Sequence, residues 1–239
     1  MADKSETGHD ADLILEGRPR VTGAEKLSSS DRIVRDILRG LYEGRYVAGQ
    51  RLVEPDLIAH YEVSRSTVRE AIKRLAAQGV VEAMHNRGAR IRQLSKDEAR
   101  NILLITEVIV GLAARLAAAN IDGDGNRAQM VAVLDTLMSY SRATDKFEFM
   151  RARNRFHRTM AQISSNPELE KMLGTLQVHL VRNRLVMRPE DREASYRAIG
   201  SAILAGDPQL AEAQARAHVQ RMIELLDQLY EPPVLAERS

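Results

Sequence analysis

The stretch Val63-Ser-Arg-Ser-Thr-Val-Arg-Glu-Ala-Ile-Lys-Arg-Leu75 decides how the first part of this chain folds. Within it, Val68, Ile72 and Leu75 recur at i, i+4 and i+7, which is the spacing of an apolar stripe that a helix buries. A serine at residue 64 or 66 can cap the start of this helix, and Gly79 can end it. The pattern therefore predicts a helix that reaches residue 78.

Basic side chains form a second face of the same helix. Arg65, Arg69 and Lys73 recur at i, i+4 and i+8, and Ser66 and Thr67 lie at its start. Arginine can bind guanine O6 and N7 with two hydrogen bonds, while serine and threonine hydroxyls can donate to phosphates or bases. The face suits the major groove of DNA, although a solvated basic face on an ordinary amphipathic helix has the same spacing.

Two further helices are predicted before this one. Apolar residues at helical spacing follow Ser30, which can cap a first helix that Gly44 stops. A short second helix follows Leu52, with Pro55 suited to its first turn.

A β-hairpin is predicted after the helix that reaches residue 78. Val80–Met84 and Ala89–Gln93 have the pattern of short strands, joined at His85-Asn-Arg-Gly88. Three helices and a hairpin within residues 28–94 are the outline of a winged helix-turn-helix.

The distribution of charge agrees with this interpretation. The net charge of the 239 residues is only +2. Residues 28–94 hold 12 basic and 8 acidic side chains, whereas residues 95–239 hold 19 of each. Residues 1–27 are acidic on balance and lack periodicity, so we expect a disordered tail there. The excess positive charge lies in the segment that would contact phosphates.

Composition limits the remaining classes of protein. Hydrophobic residues make up 44% of the chain, which is enough for a buried core, and there is no cysteine. The absence of cysteine excludes a disulfide framework and thiolate metal sites, and it fits a cytoplasmic protein. The most apolar run, Ile102–Ala119, contains Thr106, Glu107 and Arg115. It therefore predicts a buried helix and no membrane partner.

From residue 95 onward the pattern predicts helices and no strand. Ser95-Lys-Asp-Glu98 is a capping box that opens a helix reaching Ala119. Later Asp, Asn and Pro positions begin further helices at about 127–142, 145–163, 166–187, 189–204 and 207–230. We expect an all-helical domain over residues 95–232 and a short tail at 233–239.

Residues 28–94 carry a set of short motifs in one register, namely Gly49-Gln-Arg-Leu52, Glu54, Leu57-Ile-Ala59, Val63–Ala71, Leu75, Gly79 and Asn86-Arg-Gly88. In these motifs the segment resembles the GntR family of bacterial regulators. It departs from the family at Ala48, where proline is usual, and at Pro55, where one member contacts DNA with arginine. The resemblance implies a transcription regulator that binds a pseudo-palindromic double-stranded DNA operator as a homodimer.

The same resemblance assigns DNA contacts position by position. The start of the recognition helix would supply arginines and hydroxyls, and the hairpin tip would approach the backbone or the minor groove. The expected contacts are Ser64, Arg65, Ser66, Thr67, Arg69, Lys73, His85, Asn86, Arg87 and Gly88.

Residues 95–232 carry a second set of motifs, namely Gly111–Ala118, Phe156-His157, Ser165-Asn-Pro167, Tyr196–Ile199, Ala205-Gly-Asp207 and Ala217-His218. With these they resemble the carboxy-terminal FCD domain of the FadR subgroup, a helical bundle that binds effectors and dimerises. The expected fold class is therefore mainly α, with an N-terminal winged helix-turn-helix followed by an all-α helical-bundle sensor domain.

Many relatives hold a divalent metal in this bundle through one aspartate and three histidines. By the resemblance, His157 and His218 occupy two ligand positions, but Arg153 replaces the aspartate and Tyr196 replaces the middle histidine. A guanidinium only donates hydrogen bonds and repels a cation, and zinc normally has at least three protein ligands. We therefore expect no metal cofactor, with His157 and His218 as its ligands if a metal is present.

We expect an effector site at Arg153, His157, Tyr196 and His218, occupied by a small carboxylate metabolite whose charge Arg153 balances. Thr106 replaces an arginine that relatives often use against the ligand's carboxylate. Two alternatives stay open: these residues are ordinary polar groups between helices, with Arg153 exposed, or the domain binds its metabolite through a Zn- or Ni-type metal. An architectural DNA binder without a sensor is a third. No phosphate loop or catalytic triad favours an enzyme.

Overall fold

The computed structural model describes residues 28–84, 88–140, 146–175, 181, 185 and 187–230. Most of these residues are helical, and a small sheet follows the third helix. The expected tails at 1–27 and 233–239 lie outside the described residues, as does the hairpin tip at 85–87. The structure thus confirms a mainly α protein with a winged helix-turn-helix followed by a helical bundle.

The first three helices are α1 (Ser29–Glu43), α2 (Glu54–Tyr61) and α3 (Arg65–Ala77). The cap of α1 is Ser28, and the prediction of Ser30 was wrong. The Ser28 hydroxyl accepts a hydrogen bond from the Asp31 backbone at 3.1 Å, and the Asp31 carboxylate accepts one from the Ser28 backbone at 3.2 Å. Because Asp31 stands three residues after Ser28, this pair completes a capping box.

The sheet has one more strand than the sequence predicted. Strands β1 (Arg51–Leu52), β2 (Val81–Met84) and β3 (Gly88–Ile91) are antiparallel in the order β1-β3-β2. Strand β1 has only two residues, too few for alternation to be visible in the sequence. Gly88 has φ of +84°, and a Cβ atom there would clash with the Leu52 carbonyl oxygen, so this position requires glycine.

The winged helix-turn-helix has its own core. Val68, Ile72 and Leu75 of α3 are buried, as their spacing predicted. They join the stripe of α1 and the inward side chains of the sheet in one cluster, whose other members include Ile33, Val34, Ile37, Leu38, Leu52, Val81, Ala89 and Ile91.

The second part of the chain contains α4 (Lys96–Ala119), α5 (Asn126–Tyr140), α6 (Lys146–Ile163), α7 (Pro167–Thr175), α8 (Pro189–Leu204) and α9 (Pro208–Tyr230). The capping box at Ser95 opens α4 as predicted. The helix expected from 166 to 187 is described without a break only as far as Thr175. Beyond it Val181 is helical, whereas Leu185 and Met187 are not. Pro189 begins the next helix here because its missing N–H is tolerated in a first turn.

These helices surround a core in which α4 packs along α9. Helices α6 and α8 each pack against both α4 and α5. Helix α1 of the winged helix-turn-helix also contacts α6. The arrangement brings the middle of α6, the first half of α8 and the middle of α9 together, which is where the effector residues were expected.

Helix α4 is long and apolar enough to cross a membrane by length and composition alone. Half of its most apolar window is buried inside the protein. The core helix of a soluble protein passes the same test, so this property is weak evidence for a membrane span.

Candidate DNA-binding and effector sites

Hydroxyl groups cluster at the start of α3. Ser64 is the N-cap, and its hydroxyl accepts from the backbone N–H of Thr67 at 3.2 Å. The same oxygen lies 2.8 Å from the hydroxyls of both Ser66 and Thr67. A helix N-terminus with such groups suits a phosphate oxygen because its N–H dipoles point outward.

The two arginines of α3 are exposed and share one acidic neighbour. The side chains of Arg65 and Arg69 are 67% and 59% accessible to solvent. Glu54, at the start of α2, lies 3.4 Å from Nε of Arg65 and 3.2 Å from Nε of Arg69. Lys73 is exposed one turn further along. In the sequence Glu54 is only one position of the family motif, and the contact arises from the way α2 crosses α3.

The expected hairpin contacts are only partly visible. His85, Asn86 and Arg87 lie outside the described residues, while Gly88 begins β3 opposite Met84. The DNA contacts assigned by resemblance therefore stay predictions, and the structure adds the geometry of α3 on which they depend.

Three aromatic side chains of the expected effector site meet between α6, α8 and α9. The rings of His157 and Tyr196 have centroids 5.8 Å apart, and those of Tyr196 and His218 are 4.7 Å apart. Phe156 packs edge to face against Tyr196 at 5.7 Å. Tyr196 and His218 are almost fully buried, and His157 is partly so. Of the four residues named from sequence, Tyr196 therefore contacts both His157 and His218.

Arg153 lies one turn before His157 on α6 and is only 7% exposed. Its Nη2 and Nε atoms donate to Oδ1 of Asn154 at 3.1 and 3.4 Å. Burial of a guanidinium is costly unless hydrogen bonds and a negative charge compensate it, and a neutral amide supplies no charge. The alternative in which Arg153 is exposed does not hold.

The described carboxylates near this arginine are engaged elsewhere. On α6 and α8, three of them pair with other arginines, at distances of 2.9, 2.7 and 2.9 Å, and the fourth, Glu190, is exposed. The pairs are Glu148 with Arg151, Asp191 with Arg188, and Glu193 with Arg197. Within the described part of the chain, Arg153 therefore forms no ion pair.

Arg192 is a second cation beside these helices and was not predicted from the sequence. It stands one turn before Tyr196 on α8, and its guanidinium carbon lies 3.9 Å from the centroid of the Phe149 ring. Phe149 in turn stands one turn before Arg153 on α6. The register of Arg192 relative to Tyr196 was visible in the sequence, but the contact with Phe149 depends on how α6 and α8 pack.

Thr106, which stands where the resemblance implies an arginine, uses its hydroxyl within its own helix. It is buried, and its hydroxyl donates to the Ile102 carbonyl of its own helix at 2.7 Å. A threonine bonded to the preceding turn presents no donor to a ligand.

A cleft of about 340 Å³ opens beside α8 and α9 and is lined by Arg188, Asp191 and Arg221, among others. Its arginines already have partners, since Arg188 pairs with Asp191 and Arg221 donates to the Ser195 hydroxyl. It is therefore a weaker anion site than the surroundings of Arg153.

The residues present do not fit a metal ion. Arg153 offers only donors where a metal would need an oxygen ligand. No group of three or more His, Cys, Asp or Glu side chains within the described residues could hold one. Two imidazoles alone make an incomplete site for zinc.

Two families match the chain. The family described as "Bacterial regulatory proteins, gntR family" matches residues 29–91, and the FCD domain matches residues 101–221. Among curated relatives, a probable D-xylose utilization operon transcriptional repressor of Paenarthrobacter nicotinovorans is 30% identical over 192 residues, which cover 78% of this chain and 84% of the relative. The HTH-type transcriptional repressor RspR of Escherichia coli K12 is 24% identical, covering 84% and 90%.

Solved structures share the fold. The chain aligns with E. coli McbR/YncC at a TM-score of 0.70 and 21% identity, covering 86% of this chain and all of that one. A putative GntR transcriptional regulator from Rhodococcus sp. RHA1 gives the same TM-score, identity and coverage. Since the matched families and relatives are transcription regulators and not enzymes, this chain is a soluble DNA-binding transcription regulator and belongs to the GntR family, with a GntR helix-turn-helix and an FCD domain.

Proposed function

We propose that this regulator is a cytoplasmic homodimeric repressor whose affinity for its operator is controlled by a small carboxylate metabolite bound in the helical bundle. Repression is supported by the names of two relatives, both of which are called repressors. The cytoplasm follows from the function, because an operator-binding protein acts where the chromosome is.

Buried Arg153 is the observation that carries the carboxylate proposal. A guanidinium that is 7% exposed and bonded to a neutral amide needs a negative partner. A carboxylate can accept two parallel hydrogen bonds from arginine, which is the strongest ordinary arrangement for such a pair. His157 stands one turn after Arg153 on α6, and Tyr196 contacts both His157 and His218. We propose that these side chains donate further hydrogen bonds to the same ligand.

The proposed DNA contacts begin with Arg65 and Arg69, which are exposed on α3 and can reach base edges or phosphates. Ser64, Ser66 and Thr67 form a hydroxyl cluster at the helix start, and the remaining expected contacts are Lys73 and the hairpin residues His85, Asn86, Arg87 and Gly88. Two copies of α3 must meet the major groove on one side of DNA, so the operator is a pseudo-palindrome.

An exposed apolar stripe on α4 supplies a surface for the homodimer. Leu104, Ile105, Val108 and Leu112 are all at least one-third exposed, with Ile105 and Val108 at 52%. Polar Asn101 and Arg115 are exposed seven residues before and after Val108. When two copies cross antiparallel at Val108, Leu104 faces Leu112 of the partner, and Asn101 faces Arg115 of the partner. A surface that is complementary to itself suits a two-fold dimer.

The effector proposal is tested by thermal shift with a panel of small organic acids and by elemental analysis. A carboxylate should raise the melting temperature of the wild type and not that of Arg153→Ala. The matched control is Arg155→Ala, an exposed arginine on the same helix, which should keep the response. One tightly bound transition metal per chain would contradict the proposal, as would stabilisation by acids that survives loss of Arg153.

The dimer surface is tested by analytical ultracentrifugation. Val108→Lys places two like charges opposite each other across the two-fold axis and should yield monomers at micromolar concentration. Val131→Lys, at a valine of α5 that is 41% exposed but outside the stripe, should leave the dimer intact. Equal sedimentation of both variants and the wild type would remove α4 from the interface.

A further inference from the structure

The exposed face of the small sheet carries two arginines directly opposite each other. Arg51 of β1 and Arg90 of β3 are register partners, and residues in such a pair have Cβ atoms about 5 Å apart. Both arginines are exposed, whereas the side chains of Leu52 and Ala89 beside them are buried on the other face of the sheet. Like charges directly opposite each other destabilise a sheet, so this pair of cations calls for a negative group.

No described carboxylate supplies that negative charge. Glu82 of β2 stands opposite Arg90 on its other side, but the ion pair that Glu82 forms is with Arg92, at 3.9 Å. Arg92 also pairs with Glu98 at the start of α4, at 3.2 Å. Neither Arg51 nor Arg90 forms an ion pair or a side-chain hydrogen bond with another described residue. Both guanidinium groups are therefore available to an anion that comes from outside the chain.

The two arginines adjoin the surface on which the DNA contacts are proposed. A Cβ atom at Gly88, two residues before Arg90, would lie 3.6 Å from the backbone nitrogen of Glu54. The start of β3 therefore lies against the start of α2, where the Glu54 carboxylate contacts Arg65 and Arg69 of α3. The basic surface of α3 thus continues through the start of α2 onto the sheet.

We propose that Arg51 and Arg90 together bind one phosphate of the DNA backbone beside the groove that α3 enters. This rests on the proposed placement of α3 in the major groove. A phosphate between the two guanidinium groups accepts hydrogen bonds from both, and its negative charge offsets their mutual repulsion. Phosphate contacts orient a protein on the duplex and carry no sequence information of their own. The pair therefore adds affinity for DNA of any sequence.

The test measures binding of the full chain to an operator selected from a random duplex library and to an unrelated duplex of equal length. Arg51→Gln and Arg90→Gln should each weaken binding to both duplexes by the same factor, about three- to tenfold. The slope of log affinity against log salt concentration should become shallower by about one for each protomer bound. Arg90→Lys keeps the positive charge and should retain most of that slope.

Two controls separate the phosphate contact from effects on folding and on overall charge. Without DNA, Arg51→Gln should melt no lower than the wild type, because it removes a like-charge pair. Arg155→Gln removes the same charge from an exposed position of α6 and should change both affinities less than about twofold.

A scan with neutral linkages locates the contact. Methylphosphonates replace the operator phosphates one at a time, and the wild type should lose affinity at one linkage in each half-site to which the double variant of Arg51→Gln and Arg90→Gln is insensitive. If the double variant responds to every linkage as the wild type does, the pair binds no phosphate. A loss confined to the operator, with binding to the unrelated duplex unchanged, would also overturn the inference. A wild type that does not distinguish the two duplexes would instead contradict the proposed operator binding.

Discussion

Glu54 holds the two exposed arginines of the recognition helix from the start of the preceding helix. Its carboxylate contacts both Arg65 and Arg69, although these side chains leave different turns of α3. In water such surface pairs contribute little to folding, about 0–1 kcal/mol. The contact is therefore better explained by positioning, because an arginine that is oriented before it meets a base loses less entropy on binding.

This interpretation gives a prediction for DNA binding. Arg69→Ala should weaken binding to an operator selected from a random duplex library by about 1–3 kcal/mol. Glu54→Gln removes an acidic group and should raise affinity for non-specific DNA, yet lower affinity for the operator. Gel shift on both duplexes at several salt concentrations measures the ratio. If Glu54→Gln improves both affinities equally, Glu54 only repels phosphates.

Asp36 is the hydrogen-bond centre of the winged helix-turn-helix. The Tyr61 hydroxyl donates to it at 2.6 Å and Arg45 donates at 3.0 Å. Partial burial would raise the pKa of Asp36, but these two donors outweigh it and hold the pKa below its usual range. Burial and the hydrogen bond to Asp36 raise the pKa of Tyr61. The pair ties α1 to the end of α2.

Acid should remove this contribution. The folded pKa of Asp36 is lower than the unfolded one, so its stabilising effect is present above about pH 4 and is lost as the pH falls through the folded value. At pH 7, Asp36→Asn should cost about 1–2 kcal/mol in the free energy of unfolding. Urea denaturation at pH 7, 5, 4 and 3 should show this cost shrinking toward pH 3. Asp135→Asn, at an exposed position of α5, should show no such trend.

At the scale of elements, Gly200 sets the distance between α8 and α5. A Cβ atom at this position would lie 2.6 and 2.8 Å from the two Cδ atoms of Leu134. Real Cβ atoms do not approach so closely, and Leu134 is buried and has little room to move. The same helix carries Tyr196 one turn before Gly200, so the packing of α8 against α5 also affects where Tyr196 lies.

Gly200→Ala should destabilise the bundle although alanine is the better helix former. Overpacking costs about 1–3 kcal/mol, which exceeds the gain of about 1 kcal/mol from helix propensity. Calorimetric melting should show a lower transition temperature for Gly200→Ala. Gly200→Ala should cost less stability in the Leu134→Ala background than in the wild type, because the clashing side chain is gone. Ser201→Ala, at the exposed neighbour, should have little effect. Additive effects would show that the two residues do not interact.

At the scale of the whole molecule, α6 joins the effector site to the DNA-binding domain. Its first turn carries Phe147, which is buried and lies 5.3 Å from the guanidinium carbon of Arg39 on α1. The same helix carries Arg153 about two turns later and His157 about three turns later. A helix that moves as a rigid body when a ligand binds at Arg153 would shift the surface on which α1 rests.

This contact should contribute to the coupling between effector and operator. The acid that stabilises the wild type most should change operator affinity, and the operator should change acid affinity by the same factor. Phe147→Leu and Arg39→Gln should each reduce that factor while leaving acid affinity without DNA nearly unchanged. Arg32→Gln loses the same charge from α1, but its contact lies within the winged helix-turn-helix, at the Tyr61 carbonyl. Arg32→Gln should therefore leave the coupling factor unchanged. An equal loss of coupling in all three variants would show that α6 does not transmit the effect.

The sequence alone determined the elements and their order. Local signals sufficed for them: the buried stripe of Val68, Ile72 and Leu75, the capping box at Ser95 and the proline at 189 each describe interactions within one turn or one helix. Because these signals are local, they could not predict a strand that depends on pairing with a distant segment. Strand β1 is two residues long and exists only because β3 pairs with it, so no pattern in the sequence could announce it.

What the tertiary structure alone decided is which side chains from different helices come together. Register placed Arg153 and His157 on one face of α6, but it could not show that Arg153 is buried, that Glu54 reaches two arginines of α3, or that Arg192 lies over Phe149. Each of these contacts joins two helices, and its geometry depends on how they cross. Periodicity records the direction of a side chain about its own helix and carries no information about the distance to the next one.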